Sequence, residues 1–465
     1  MPGLFQGLEI GKRALLTNQM WLQTLGHNIA NVDTPGFSRQ RVSVVPTSPS
    51  YTPQGLVGTG VTANDITQVR DLFLGQQYRE ANKSLGQWTY KEKTMSQIES
   101  LVNEPQDGSI NDLLTSFFNS WSDMSTGDAD SSTNRQDVLQ QANRLTNSFH
   151  QLAQGLSDLR TGIDKDLETY TNEINQLTAN IAQINQQIKS LELGGTKAND
   201  LRDQRDLLTD QLANLVDVRM QEKPNGETVV AMGGMVLVDG SSSFDIGVKA
   251  VNDNGMQIHK LVWKGTEVSL TNLNGQLYGL LETRDKIIPG YLANLNKLTK
   301  SLVEEVNAIH TTGYGINGST GIAFFDPNLT DAATIKVNED LQSDPTKIAA
   351  TDSNAEKNLK IALAISDLRD KQVLNSGSSS MADYYSGLVG KLGIEAKQAT
   401  SFKSNYELLV QQVDNSRQSV QGVSLDEEMA NMIKYQHAYD AAARVITTMD
   451  QALETVINGM GLVGR

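Results

Sequence analysis

Cysteine is absent from all 465 residues. That removes a disulfide framework, a thiolate metal site and a cysteine nucleophile, and it suits a chain that must leave the cell unfolded. Aromatic residues are scarce, at 6%. Clustered cations are missing as well: 39 Lys and Arg stand against 54 Asp and Glu, for a net charge of −15. Nucleic acid is excluded as a partner, because phosphate binding needs grouped Lys and Arg; the acidity serves solubility and repulsion between copies. No apolar run approaches the roughly 18 residues of a membrane span. The opening "MPGLFQGLEIGKRALL" has no basic start, continuous apolar core or small-residue cleavage site, so export would use a route that reads no cleavable signal.

Catalytic signatures are equally lacking. There is no Walker-type loop, H-E-x-x-H or G-x-S-x-G, and "GLVGTG" (55–60) has its glycines in the wrong order for a dinucleotide fingerprint. His27, His150, His259, His310 and His437 are not at metal-ligand spacing and read as packing or surface residues. "DADSSTNRQD" (128–137) reads as a helix-capping linker rather than a calcium loop, since it lacks the central Gly and bidentate Glu. "DLRDQRD" (200–206) reads as a solvated helix face with i,i+4 pairs, Asp200 with Gln204 and Arg202 with Asp206. No cofactor, metal or catalytic residue is expected.

What the chain does have is helix periodicity at both ends. Leu4, Leu8, Gly11, Leu15, Asn18, Leu22, Leu25 and Ile29 step alternately by 4 and 3, a heptad seam. Met432, Tyr435, Tyr439, Ala442, Ile446, Met449, Leu453, Val456 and Met460 step by 3 and 4, with Ser424 as an N-cap, Glu427 closing a capping box, and Gly459 and Gly461 ending the run. One reading pairs these ends as an ordinary hairpin within a monomer. The other pairs them and still requires neighbouring copies, because two helices bury little area and isolated helices are marginal in water. On that reading the termini order fully on assembly.

Between them, a stripe from Leu145 through Phe149, Leu156, Ile163, Leu167, Ile174 and Ile181 to Leu191 predicts a rod-like helix roughly 70 Å long. After "LGGTKAND" a second helix folds back. Further helices are expected near 71–103, 110–124, 276–310 and 355–421, the last broken at "NSGSSSMADYY", with extended chain from Gln40 to Val69. "ETVVAMGGMVLVDG" and "MQIHKLVWKGTEVSLTNL" alternate as strands between Gly-containing turns. The fold class is therefore mainly α with a β insert, nested and elongated. The domains expected are a terminal coiled-coil unit (1–32 with 424–465), a helical rod-like unit (33–216 with 275–423) and an outer β unit (217–274) farthest from the chain ends. Residues 316–352 are left open between the rod and the β unit.

The first helix ends abruptly in "HNIANVDTPGFSRQ" (27–40). Asn31 is expected to stop it in the left-handed conformation, and Pro35-Gly36 to form a type II turn that Phe37 anchors. Asn28, Asn31, Thr34, Pro35, Gly36 and Phe37 resemble the N-terminal signature of the bacterial flagellar axial proteins, those of rod, hook and hook-associated layers. "VSLDEEMANMIKYQHAYDAAARVITTMDQALETVI" resembles the C-terminal one. Ser38, Arg39 and Gln40 resemble the hook-associated branch. So do "RDLFLGQQYR", "NDLRDQRDLLTDQL", "MVLVDG", "GQLYGLLETRD" and "EVNAIHTTGYG".

That resemblance implies a structural part joining hook to filament, a mechanical adaptor and not an enzyme. It implies unfolded type III export with a cytoplasmic chaperone at the C-terminal helix. It implies self-assembly into a ring or tube layer, with hook protein below and a second junction protein, cap and flagellin above. A hook or distal-rod protein is the alternative within the class. Outside it stand an adhesin on a coiled-coil stalk and a wall hydrolase using Asp239, Asp245, Asp253 or Glu267.

Overall fold

The computed structural model describes residues 2–52, 55–102, 108–253, 256–266, 268–270, 273–354 and 357–459, with backbone alone at 2–4 and 459. Helix α1 (Pro2–Ala30) leads into an antiparallel ribbon of β1 (Gln40–Pro46) with a partner, β4 (Val61–Gln68), tipped by the short hairpin β2 (Ser50–Thr52) and β3 (Gly55–Val57). Helices α2 (Leu72–Val102) and α3 (Ile110–Thr126) follow. The central helix α4 spans Ser132–Glu192, 61 residues, or about 90 Å at 1.5 Å per residue. It starts well before Leu145 because Ser131 caps it, accepting a hydrogen bond from Asn134 N–H. Gly195, at φ +84°, turns the chain into α5 (Asn199–Leu215), antiparallel to α4.

The β insert follows: a meander of β5 (Val218–Glu222), β6 (Thr228–Met232), β7 (Met235–Asp239) and β8 (Ser242–Ser243), then a ribbon of β9 (Ile246–Asp253) and β10 (Met256–Trp263). Helix α6 (Gln276–Glu282) runs through one π turn, Thr283–Ile287, into α7 (Ile288–His310). Short helices α8 (Glu339–Ser343) and α9 (Lys360–Ser366) precede α10 (Met381–Gln421) and α11 (Leu425–Gly459).

One apolar core runs the length of this rod. Leu145, Phe149, Ile163, Leu167, Ile174 and Ile181 of α4 are buried in it, with Phe117 and Trp121 of α3 and Leu298 and Leu302 of α7. Leu191, the last residue of the expected stripe, is exposed. The β insert shares the core through Val230, Leu237, Val238, Leu261 and Trp263. It lies flat along the second half of α4, where Asn185 Nδ2 donates to Thr228 O (3.1 Å) and Gly240 O (2.8 Å) and Asn175 Nδ2 donates to Ile246 O (2.8 Å). Strands with an apolar face need such cover. The insert therefore does not lie farthest from the chain ends. That place belongs to the start of α4 with α3, α9 and the segment 316–352, whose Phe324 and Phe325 pack on Phe117 and whose Ile335 O bonds His150 Nε2 (2.7 Å).

The two chain ends pair. Gly7 faces Met449, Gly11 faces Ile446, and Trp21 stacks on Tyr435 at 4.7 Å, so α11 descends as α1 rises. A Cβ on Gly11 would stand 2.9 Å from Ile446 Cγ1, so glycine is what lets the helices approach here. Among the described residues, none of α1, the β1–β4 ribbon or α11 belongs to the rod's core.

Candidate functional site: a polar joint beneath the terminal helix pair

The breaker after α1 is built by side chains. Asn31 keeps a negative φ: among the described residues only Leu359, Asn375 and Ser376 are non-glycine residues at positive φ. This corrects the left-handed stop. Asn31 Nδ2 instead donates to His27 O (2.9 Å), a carbonyl that also accepts Asn31 N–H (3.2 Å), and Thr34 Oγ1 donates to Asn31 Oδ1 (3.1 Å). Phe37 N–H donates to Thr34 O (3.2 Å) across Pro35 and Gly36, with Gly36 at φ +79°, a type II turn. Pro35 is exposed, and Phe37 lies edge-on to His27 at 5.4 Å.

Asn28 joins the two crossings between helix pair and rod. It is buried; Nδ2 donates to Gln40 O (2.9 Å) and Glu428 Oε2 (3.0 Å), and Oδ1 accepts from Gln40 N–H (2.9 Å). Arg39 N–H donates to Gln421 O (2.8 Å), and Arg39 Nη1 pairs with Glu427 (2.7 Å). Glu427 is thus turned to a cation across the joint rather than back to Ser424.

The largest departure from the sequence reading is α5. Arg202, Asp203, Arg205 and Asp206 are buried, where a solvated face was expected, and so is Asp210 one turn on. Asp200, Asp203, Asp206 and Asp210 recur every three or four residues, so they share one side. Asp200 Oδ1 accepts from Gln40 Nε2 (2.6 Å) and contacts His27 Nε2 (3.1 Å). Asp203 accepts from Ser38 N–H (2.9 Å) and Gln68 Nε2 (2.8 Å). Asp206 pairs with Arg70. Asp210 takes Arg79 (3.2 Å) and Arg417 (2.5 Å), and Arg417 lies over the Tyr78 ring at 4.0 Å. Arg202 and Arg205 face elsewhere, toward Glu192 and Glu222 and toward Asn185.

Burial pushes the Asp203 carboxyl up to about 6 against the Ser38 bonds and Arg70, which pull it down. Burial likewise raises Asp210 despite its two arginines. Four same-sign residues on one helix face, beside connectors rich in Asn, Gln and Arg, were the available signal. Local pairing rules hid it.

Along the seams, Leu25 is buried and Leu8, Leu15, Leu22 and Ile29 are half-buried; the side chain of Leu4 lies outside the described residues. Gly7, Gly11, Trp21 and Asn28 of α1 meet α11, and Gly11 belongs to the expected seam. On α11, Leu453 and Ala442 are buried, and Met432, Tyr435, Tyr439, Ile446, Met449 and Val456 are half-buried; Met460 and Gly461 lie outside the described residues. Phe5 and Leu16 on α1 and Met429, Ile433, Val445 and Ile457 on α11 remain exposed.

Acids of the β insert do not converge. Asp239 pairs with Lys223, Asp245 with Lys264 (3.0 Å) and Asp253 with Arg160; Glu267 lies outside the described residues. His310 is buried in the rod, its Nδ1 bonded to Ile322 O (2.8 Å) and its Nε2 accepting from Ala349 N–H (2.9 Å), and burial lowers it to about 4. Among the described residues no helix is long and apolar enough to cross a membrane.

Residues 95–325 match the family described as the helical domain of flagellar hook-associated protein FlgK. Residues 416–459 match the C-terminal family of the flagellar basal body rod FlgEFG proteins. The chain is 33% identical to flagellar hook-associated protein 1 of Bacillus subtilis, over 100% of both chains. It is 26% identical to that of Salmonella typhimurium and 25% identical to that of Escherichia coli, each over 95% of this chain and 97% of the relative. In structure it resembles the flagellar hook junction protein FlgK of Burkholderia pseudomallei, with a TM-score of 0.67 and 16% identity, over 75% of this chain and 100% of the other.

Proposed function

This chain belongs to the flagellar hook-associated protein 1 family, structural flagellar components of the hook–filament junction, and from that membership we propose how it does its work. Residues 1–32 with 424–465 form an inner coiled-coil layer, 33–216 with 275–423 a helical layer around it, and 217–274 a β unit on the rod's flank. Copies assemble side by side into a ring or tube layer. Hook protein lies below; a second junction protein, cap and flagellin lie above. The chain reaches this place unfolded through the flagellar export channel, with a cytoplasmic chaperone covering its C-terminal helix. It works as a mechanical adaptor and catalyses nothing. The assembly motif is Asn28, Asn31, Thr34, Pro35, Gly36, Phe37, Ser38 and Arg39.

The observation that carries this reading is the α1–α11 pair. It covers one face of each helix and leaves Phe5, Leu16, Met429, Ile433, Val445 and Ile457 exposed. Apolar residues left exposed on two paired helices are what neighbouring copies would bury. The test is a strain deleted for this chain, examined by electron microscopy with analysis of the medium. Hooks without filaments, and unpolymerised flagellin in the medium, are expected. Normal filaments would overturn the reading, and missing hooks would move the role to the hook or rod.

A further inference from the structure

We propose that the carboxylate ladder of α5 is a lock that sets the direction of the α1–α11 pair relative to the rod. Three observations carry it. First, the rod's apolar core stops short of the joint: among the described residues, none of α1, the β1–β4 ribbon or α11 belongs to it. The rod's core therefore does not reach across to fix the angle between the two bodies, and the apolar contact at the turn is local, Leu207 against Gly36.

Second, the chain crosses the joint by two breaks. One is the turn from Asn31 to Phe37, and the other is the short gap between α10 and α11, where Gly422 is extended at φ −70°, ψ 155°. A cleft of about 660 Å³ opens between them, lined by Pro35, Phe37, Tyr78, Arg417, Gln421 and Ser424 among others. Breaks of this kind absorb hinge motion.

Third, the hydrogen bonds and ion pairs that cross from rod to connectors end mainly on one helix. Asp200 and Asp203 hold Gln40 and Ser38 from the first crossing, and Asp210 holds Arg417 just before the second. Asn199 Oδ1, Asp206 Oδ1 and Gln421 Oε1 are buried here without a hydrogen-bond partner among the described residues, so the joint has polar capacity that a shifted set of bonds could use. Buried charge pairs often add little net stability, and in some proteins they fix geometry instead. A ladder gripping both crossings selects one direction and can release it without disturbing the core.

The chain has no cysteine, so spin labels can be placed without background. One pair, Gln186→Cys with Gln451→Cys, spans rod and terminal helices. A second, Gln186→Cys with Lys300→Cys, lies within the rod. Electron–electron distance measurements are made on the full chain, with and without Asp203→Asn and Asp210→Asn together. The first pair is expected to widen its distance distribution by about twofold or more, with the second unchanged. A first pair as narrow as in the parent overturns the proposal. Widening of both pairs overturns it too, because the ladder would then hold the rod rather than the joint. The measurement concerns the isolated chain, so its failure leaves the junction reading standing.

Discussion

At Gly36 an added side chain meets two obstacles. Its φ of +79° is disfavoured for an L residue by about 1–2 kcal/mol, and its Cβ would lie 3.2 Å from Leu207 Cβ. Gly36→Val is expected to leave a soluble folded rod and to abolish incorporation into flagella; wild-type swimming by the mutant would refute this. Two buried titratable groups make opposite predictions. His310 titrates near 6.5 unfolded and about 4 folded. Between those values the unfolded chain binds more protons, so this contribution is present near pH 7 and lost on acidification, by about 3 kcal/mol in all. His310→Gln should remove that slope from a series of denaturant melts. Asp203 moves from its ordinary 3.8 to about 6. The folded chain then holds the extra proton, and its contribution falls as pH rises from about 4 to 6. Asp203→Asn should show the smallest gain at pH 4 and the largest at pH 6, relative to the parent at each pH.

Among the elements, the β insert depends on a few polar anchors. Asn185 Oδ1 accepts from Thr228 N–H and Arg205, while its amide bonds Thr228 O and Gly240 O. Asn185→Ala leaves these buried groups unpaired and should lower the unfolding free energy by about 3 kcal/mol, measured by urea denaturation. The helices were legible because their apolar spacing is long and regular: Phe149, Ile163 and Ile174 sit in the core that their period implies. The strands were legible from alternation between glycine turns. What spacing could not reveal was which element each polar group meets. Asn185 looks like any exposed Asn on a Gln- and Asn-rich helix, and "DLRDQRD" satisfies local pairing rules that the fold does not use. The seam of α1 shows the same limit. Gly11 falls in it, but Gly7, which also meets α11, does not, because a small residue lets a neighbour come close and carries no apolar signal.

For the whole molecule, the exposed residues of the terminal pair separate folding from assembly. Met429→Asp with Ile433→Asp changes two side chains that are each 56% exposed. Its effect on the thermal midpoint of the isolated chain should therefore be small, within a degree or two for a change of about 0.5 kcal/mol. Incorporation at the flagellar tip should be lost, as read by fractionating flagella from free protein. A large drop in the midpoint would show that these residues already support the monomer.

The bond between Asn28 and Glu428 joins residues 400 positions apart. A chain delivered from its N-terminus presents α1 first and α11 last, so the first helix must wait for almost everything else before its partner exists. Closing so long a loop unaided is entropically costly. The rod, folding through nearer contacts, removes most of that cost by bringing Arg39 beside Gln421. Pairing of the ends is thus a late event conditional on a finished rod. A chain stalled before α11 arrives keeps α1 without its partner and never acquires the surface on which its neighbours would build. Completeness of the molecule is in this way checked by its own topology.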